Sequence, residues 1–152
     1  MLDYFCKYKI GRDDPMKITP YLNFNGNCME AISLYEKAFG VKAQILRYKD
    51  APPSEEYSIL AGTENLVMHA CLTNRKDYTV FLSDMPPNMS TKFGNGMSIF
   101  VELDSVEKVD FAFDTLKEAG KVTMPLGPTF WSKYFGSVED RFGVNWLFSI
   151  PE

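Results

Sequence analysis

The 152-residue sequence has little of what most metal and redox chemistry requires. It contains one histidine, His69, and three cysteines, Cys6, Cys28 and Cys71, without a CxxC pair. A single histidine excludes a His-His metal pair within one chain, and an odd number of unpaired cysteines argues against a disulfide framework or a cysteine zinc site. We therefore expect no cofactor, with a metal kept as an alternative, and a reducing cytoplasm as the compartment.

Basic stretches and long apolar runs are also missing. The net charge is −4 and the lysines and arginines are scattered, which argues against a nucleic-acid partner. No apolar run reaches the eighteen or so residues that span a bilayer. Residues 1–15 lack periodicity, so we expect an extension or disordered arm there, or else an ordered arm packed on a partner, before a single domain over 16–152.

What the sequence does contain is one pattern twice. The first copy begins with the strand-like run ITPYLNF at Ile18, and its amphipathic helix runs into Gly40. The second begins with MSIFVEL at Met97, and its helix runs into Gly120. Further strands follow each helix. The pattern predicts an α+β fold of paired βαβββ modules, about 17–85 and 97–150. Predicted helices cover about 28–40 and 105–119, the first capped within Asn25–Asn27 and the second by Asp104 or Ser105. Predicted strands are Ile18–Asn25, Val41–Tyr48, Tyr57–Ala61, Leu66–Thr73, Tyr78–Ser83, Met97–Leu103, Lys121–Leu126, Tyr134–Glu139 and Trp146–Ile150.

Two side chains are candidates for catalysis. His69 lies in an apolar strand, and is either an acid, base or hydrogen-bond donor in a cavity or a satisfied core histidine. Glu102 shares one face of its strand with Ser98 and Phe100, and that face borders either a cavity or solvent.

A dense aromatic set lies near the end of the chain: Phe130, Trp131, Tyr134, Phe135 and Trp146. It forms either a core or dimer seam or a pocket that stacks a flat or apolar ligand. Lys133 within it could attract an anion.

Several motifs resemble the vicinal-oxygen-chelate superfamily, which contains glyoxalases, bleomycin-resistance proteins and dioxygenases, and within it the PhnB-like branch. They are PYLNFNGNCMEAISLYEKAFG, LVMHACL, FLSDMPP, VELD and KVTMPLGPTFWSKYFGSVEDRFGVNW. The resemblance implies two curved sheets that enclose a cavity, within one chain or across a dimer. The metal-ligand positions of metal-dependent members fall near Pro20 or Tyr21, Ser98 and Leu147, and none of these is a good ligand. The methyltransferase label used for this branch lacks support, since no glycine-rich loop follows a strand.

The expected function is therefore binding of a small molecule by a PhnB-like protein whose reaction is unassigned. The alternative is a metal-dependent lyase, isomerase or dioxygenase with a non-standard metal site, and a purely structural module is a third class. We expect a homodimer. We also expect His69, Trp131 and Trp146 to line one cavity, with Phe81 and Tyr134 nearby. The expected ligand-binding residues are Phe81, Phe130, Trp131, Tyr134 and Trp146.

Overall fold

A computed structural model describes residues 18–52, 59–74, 76 and 78–151 of the chain. These residues form two compact units. The first holds residues 18–36 and 41–91, and the second holds Lys37–Gly40 and residues 92–151. The predicted arm over residues 1–15, with Cys6, lies outside the described residues, and the expectation of a single domain stays a prediction.

The first unit contains a four-stranded sheet and helix α1 (Cys28–Phe39), whose last residues belong to the second unit. The strands are β1 (Tyr21–Phe24), β2 (Ala43–Arg47), β3 (Val67–Thr73) and β4 (Thr79–Asp84), in the spatial order β1-β4-β3-β2. Strand β1 pairs parallel with β4, and the other pairs are antiparallel.

The second unit repeats this arrangement. Strands β5 (Ile99–Glu102), β6 (Lys121–Gly127), β7 (Phe135–Glu139) and β8 (Asn145–Ser149) lie in the order β5-β8-β7-β6, and helix α2 (Val106–Leu116) joins β5 to β6. Strand β5 pairs parallel with β8, as β1 does with β4. The predicted α+β fold of two βαβββ modules is thus confirmed.

Each helix covers one face of a sheet with apolar side chains. In the first unit the Phe24 ring lies 6.5 Å from the ring of Tyr35 on α1. In the second unit the Phe148 ring lies 6.0 Å from the ring of Phe113 on α2. All four side chains are buried, and burial of this kind is the main stabilising term for the fold.

Helix α1 begins directly after the predicted capping segment, and the carbonyl of Asn27 accepts from the N–H of Ala31 at 3.2 Å. Asn25 was expected to help cap the helix, but its side chain exchanges hydrogen bonds with the backbone of Thr91. The N–H of Cys28 instead donates to Asp84 Oδ1 at 2.9 Å. The second helix begins as predicted, because the N–H of Lys108 donates to the Ser105 hydroxyl.

Strand β1 begins at Tyr21 rather than at the predicted Ile18, and two further sequence predictions, a strand and a helix end, are wrong. The predicted strand Tyr57–Ala61 is absent from residues 59–61, where a turn begins instead. The Thr63 hydroxyl stabilises this turn by donating to the Leu60 carbonyl. Residues 57 and 58 lie outside the described residues. Helix α2 ends at Leu116, three residues before the predicted end. Its left-handed residue is Ala119 rather than a glycine, whereas Gly40 after α1 is left-handed as predicted.

Candidate functional site

The first sheet has one face that α1 leaves uncovered, which we call the first helix-free face. Residues directly opposite each other on paired strands share a face, and side chains alternate along a strand. Because Phe24 faces α1, the alternate set belongs to the helix-free face. Its polar members are Tyr21, Asn23, Gln44, His69, Thr73, Thr79 and Ser83, and its other members are Leu46, Cys71 and Phe81.

Three rings form a cluster at the centre of this face. The hydroxyl of Tyr21 lies 3.1 Å from Nδ1 of His69. The Phe81 ring centroid lies 4.9 Å from that of His69 and 5.9 Å from that of Tyr21. His69 is buried while Tyr21 remains 45% exposed. The cluster thus combines one buried imidazole with an aromatic surface that a ligand can reach through Tyr21.

Burial lowers the pKa of His69 below its ordinary value of 6.5, because desolvation disfavours the charged imidazolium. The neutral ring is therefore the state expected at neutral pH. In that state one ring nitrogen donates and the other accepts. The Tyr21 hydroxyl can donate to Nδ1 in one tautomer and accept from Nδ1 in the other.

Asp84 fixes the backbone that leads into His69, and sequence reasoning missed it. It is buried, and its second carboxylate oxygen accepts from the N–H of Val67 at 2.9 Å. Val67 lies beside an irregularity in the β2–β3 register, where Leu46 pairs with His69 but Arg47 pairs with Val67. One carboxylate therefore joins the start of α1 to the strand that carries the imidazole. The signal available in the sequence was an acidic residue closing the apolar run TVFLSD.

Tyr48 follows β2 in a single 3₁₀ turn, Tyr48–Asp50. Burial raises the pKa of its hydroxyl, and the charges that Tyr21 and Asp84 can carry raise it further. The Tyr48 phenol is therefore neutral at pH 7.

The second unit presents a different surface on its own helix-free face. Phe100, 56% exposed, shares that face with Leu147, while Phe135 pairs with Ser149 on it. Trp131 lies against Phe135 with ring centroids 5.7 Å apart, and Phe130 against Trp131 at 4.6 Å.

Hydrogen bonds hold the loop that carries Phe130 and Trp131. The N–H of Thr129 donates to the carbonyl of Ser132 at 2.9 Å, and the hydroxyls of Ser132 and Ser149 lie 2.9 Å apart. Phe130 and Trp131 therefore lie on a turn that these hydrogen bonds stabilise.

Three other candidates lie elsewhere in the second unit, and two of them make hydrogen bonds there. Trp146 is fully buried on the face that α2 covers, where its indole N–H donates to Asp140 and its ring lies 5.2 Å from that of Phe39. The hydroxyl of Tyr134 donates to Asp110 on α2, which raises the pKa of Tyr134 to about 12. Glu102 is exposed beside Phe100 in the alternation that the sequence predicted. Ligand binding by these residues stays a prediction, as does one cavity shared by His69, Trp131 and Trp146.

The side chains do not fit the metal site of metal-dependent relatives. Within the described parts of the chain, no three side chains of His, Cys, Asp or Glu come together as a metal-binding group. At the positions where the resemblance places ligands, the Pro20 carbonyl accepts from the N–H of Phe81, Ser98 is exposed and Leu147 is aliphatic. We therefore derive no chemistry through a metal.

The architecture defined by the two units is that of proteins built from paired βαβββ modules. The sequence model of the Glyoxalase/Bleomycin resistance protein/Dioxygenase superfamily matches residues 17–148. The chain belongs to this superfamily.

Individual relatives support the more specific resemblance. Protein PA1353 from Pseudomonas aeruginosa is 38% identical, with a TM-score of 0.77 over 89% of this chain and 97% of that one. The PhnB protein from Bacillus cereus is 30% identical, with a TM-score of 0.70 over 90% of this chain and 100% of that one. Protein YjdN from Escherichia coli K12 is 28% identical over 89% of this chain and 95% of its own length. The chain is thus a PhnB-like member of the superfamily, as the sequence indicated.

Proposed function

We propose that the protein binds a small organic molecule on its first helix-free face, with no reaction assigned. The observation that carries this proposal is the ring cluster of Tyr21, His69 and Phe81. Small-molecule sites combine mainly apolar or aromatic walls with a few placed polar groups. The cluster provides both, because the buried imidazole and the partly exposed phenol lie beside the Phe81 ring.

The proposed site uses His69, Tyr21 and Phe81 and omits Trp146, Tyr134 and Glu102. Trp146 and Tyr134 are omitted because their polar groups already donate to Asp140 and to Asp110 in the second unit. Phe130 and Trp131 belong to the second unit and are kept there as separate ligand-stacking candidates, since both remain exposed.

The test begins with native mass spectrometry of the gently purified protein, followed by a screen of aromatic fragments. The imidazole NMR signals of the only histidine report binding at the site. For a fragment that binds, His69→Ala should reduce affinity by roughly 1–3 kcal/mol, the typical cost of an unmatched buried polar group. Affinity in the variant is measured by calorimetry, because the substitution removes the NMR reporter.

Phe111→Ala provides the matched control. Phe111 is an aromatic residue on α2 that is 56% exposed, so its loss should leave affinity unchanged. A screen in which no fragment perturbs His69, or fragments that bind both variants like the wild type, would refute the proposal.

We further propose that the protein is a homodimer. Phe130 is 97% exposed and Met97 is 81% exposed, and large apolar side chains displayed in this way favour pairing with a second copy. Light scattering at micromolar concentration should give a dimer mass, and Phe130→Ser should weaken the dimer. A monomeric mass for the wild type contradicts this proposal without affecting the binding site.

A cytoplasmic location is proposed from the thiols. Cys28 and Cys71 are buried thiols, and burial followed by the charge of Asp84 raises the pKa of the Cys28 thiol. Such thiols require no oxidising compartment. Cell fractionation tests this directly, and recovery outside the cytoplasm contradicts it.

A further inference from the structure

We infer that Asn23 recognises the ligand of the first helix-free face, by donating a hydrogen bond from its side-chain amide to an oxygen acceptor on that ligand. The class of ligand is a molecule in which a carbonyl oxygen is attached to a flat ring, as in an aryl ketone. The inference rests on the proposed function and adds the residue that contacts the polar end of the ligand. It is carried by the hydrogen bond that orients the Asn23 side chain.

Ser83 on the neighbouring strand fixes the Asn23 side chain. The two residues lie opposite each other in the parallel pair of β1 and β4, and the buried Ser83 hydroxyl donates to Asn23 Oδ1 at 3.0 Å. A side-chain amide carries its oxygen and its N–H2 group at opposite ends of one planar unit. Because Ser83 engages the oxygen, a ligand on this face meets the amide through its N–H2 group.

Asn23 lies beside the ring cluster on the same face. It follows Tyr21 by two residues along β1, as Ser83 follows Phe81 along β4, and alternate residues of a strand share a face. Such residues are about 7 Å apart along the strand, a spacing that a benzoyl group can span. One small molecule can therefore stack on Tyr21 and Phe81 and place a carbonyl oxygen at Asn23.

The burial of this pair favours an acceptor on the ligand. Asn23 is half-buried and Ser83 is buried, so a ring bound on the cluster would remove the Asn23 amide from water. An N–H group that loses water without gaining an acceptor costs free energy comparable to a lost hydrogen bond. A carbonyl oxygen avoids this cost, whereas a hydrocarbon or a group with donors alone does not.

Acetophenone and α-methylstyrene form a matched pair of probes, because a CH2 group in the second replaces the carbonyl oxygen of the first. Each is titrated into the full chain up to its solubility limit, and the His69 imidazole and Asn23 amide signals are followed by NMR. Acetophenone should bind at least about threefold more tightly, as expected for one modest hydrogen bond, and should shift the Asn23 N–H2 signals. This comparison uses the wild-type protein and is independent of how any variant folds.

Asn23→Asp tests the donor directly. The carboxylate keeps the shape of the side chain and still accepts from Ser83, but it presents an oxygen in place of the N–H2 group. Acetophenone should therefore bind at least about tenfold more weakly, because two acceptors would face each other.

Gln44→Glu is the matched control. It makes the same change from amide to carboxylate on the same face, because Gln44 lies opposite Cys71 and Cys71 lies opposite Phe81. Its strand β2 is at the other edge of the sheet from β1, three strand spacings or about 14 Å away. The affinity for acetophenone should be unchanged in this variant.

The outcomes separate this inference from the proposed function. Equal binding of the two probes to the wild type, or acetophenone binding to Asn23→Asp as tightly as to the wild type, overturns the inference and leaves small-molecule binding intact. An equal loss in Gln44→Glu also overturns it, since the added charge rather than Asn23 would then be the cause. If neither probe moves the His69 signals, the proposed site itself fails.

Discussion

The two units share their topology but differ on the faces that the helices leave uncovered. Buried polar side chains, including His69, Thr73, Thr79 and Ser83, lie on the first of these faces. The second displays exposed Phe100 and Glu102, with Trp131 stacked on Phe135. The helix-covered faces of both sheets are mainly apolar, since each must bury its helix, and the first also carries the buried carboxylate of Asp84. The comparison shows that packing restricts one face of each module, while the other face is free to acquire a specific role.

The turns of the β3–β4 and β7–β8 hairpins have the same local hydrogen bonds but differ in one further contact. Asn74 Oδ1 accepts from the N–H groups of Lys76 and Tyr78, and Asp140 Oδ1 accepts from those of Phe142 and Val144. The local geometry is therefore repeated. Asp140 also accepts from the indole of Trp146 through its second oxygen, which ties the second turn to the core. A carboxylate has one more acceptor oxygen than an amide, and that oxygen makes the difference.

The largest expected effect comes from the helix starts, which the two units cap differently. Asp84→Ala should lower the free energy of unfolding by about 3 kcal/mol, because it leaves the buried N–H groups of Cys28 and Val67 without their acceptor. Ser105→Ala at the second helix should cost about 1 kcal/mol, as for an ordinary local cap. Denaturant unfolding measures both, and equal costs would remove this distinction between the units.

Asp84→Asn keeps one acceptor oxygen and should recover part of the loss. The His69 imidazole signals should shift in this variant if Asp84 positions the strand that carries the ring. Unchanged His69 signals would limit Asp84 to capping α1.

The glycines after the two helices should respond differently to alanine. At Gly120 an added Cβ would lie 2.5 Å from the Glu139 carbonyl oxygen, so Gly120→Ala should cost about 2–3 kcal/mol. At Gly40 the space is open and only the left-handed backbone opposes a side chain, so Gly40→Ala should cost about 1 kcal/mol. Thermal unfolding gives the order, and a larger loss at Gly40 would contradict the close approach at Gly120.

A smaller effect is expected from the titration of His69. Its folded-state pKa is lowered, so the unfolded chain binds a proton more readily as the pH falls below 6.5. Stability associated with His69 should therefore be complete above pH 6.5 and decline below it. His69→Gln should flatten the stability profile on this acid side, measured by urea unfolding between pH 5 and pH 7. Identical profiles for the two proteins would contradict a lowered pKa.

The smallest effect belongs to the exposed aromatic surface of the second unit. Phe130→Ser should change the free energy of unfolding of the protomer by about 0.5 kcal/mol or less, because the side chain is 97% exposed. The measurement is made on dilute protein, below the concentration at which dimers would form. A larger loss would mean that Phe130 packs within the protomer.

Much of the fold could be predicted from the sequence because it depends on local periodicity. The spacing of Ile32 and Tyr35 predicted α1, and the alternation around Phe100 and Glu102 predicted which residues of β5 share a face. Helix ends were less predictable. The sequence placed a glycine after each helix but could not show that Gly120 serves a close approach to Glu139 rather than the left-handed turn.

The candidate site was predictable only in part. His69 was conspicuous as a lone imidazole in an apolar strand, and Phe81 followed from a family motif. Tyr21 was considered only as a position near a lost metal ligand, and Asp84 was missed altogether. Trp146 was expected in a cavity, yet it lies on the helix-covered face with its N–H bonded to Asp140. A strand pattern separates two faces but does not say which of them a helix will cover.

The sequence by itself determined the duplicated modules, the family and the scarcity of metal ligands, since these follow from spacing and from the kinds of side chain present. Only the tertiary structure decided which residues meet. The hydrogen bond between Tyr21 and His69, and the carboxylate of Asp84 shared by Cys28 and Val67, join positions far apart in the chain. Their partners are set by strand order and register, which no local pattern encodes.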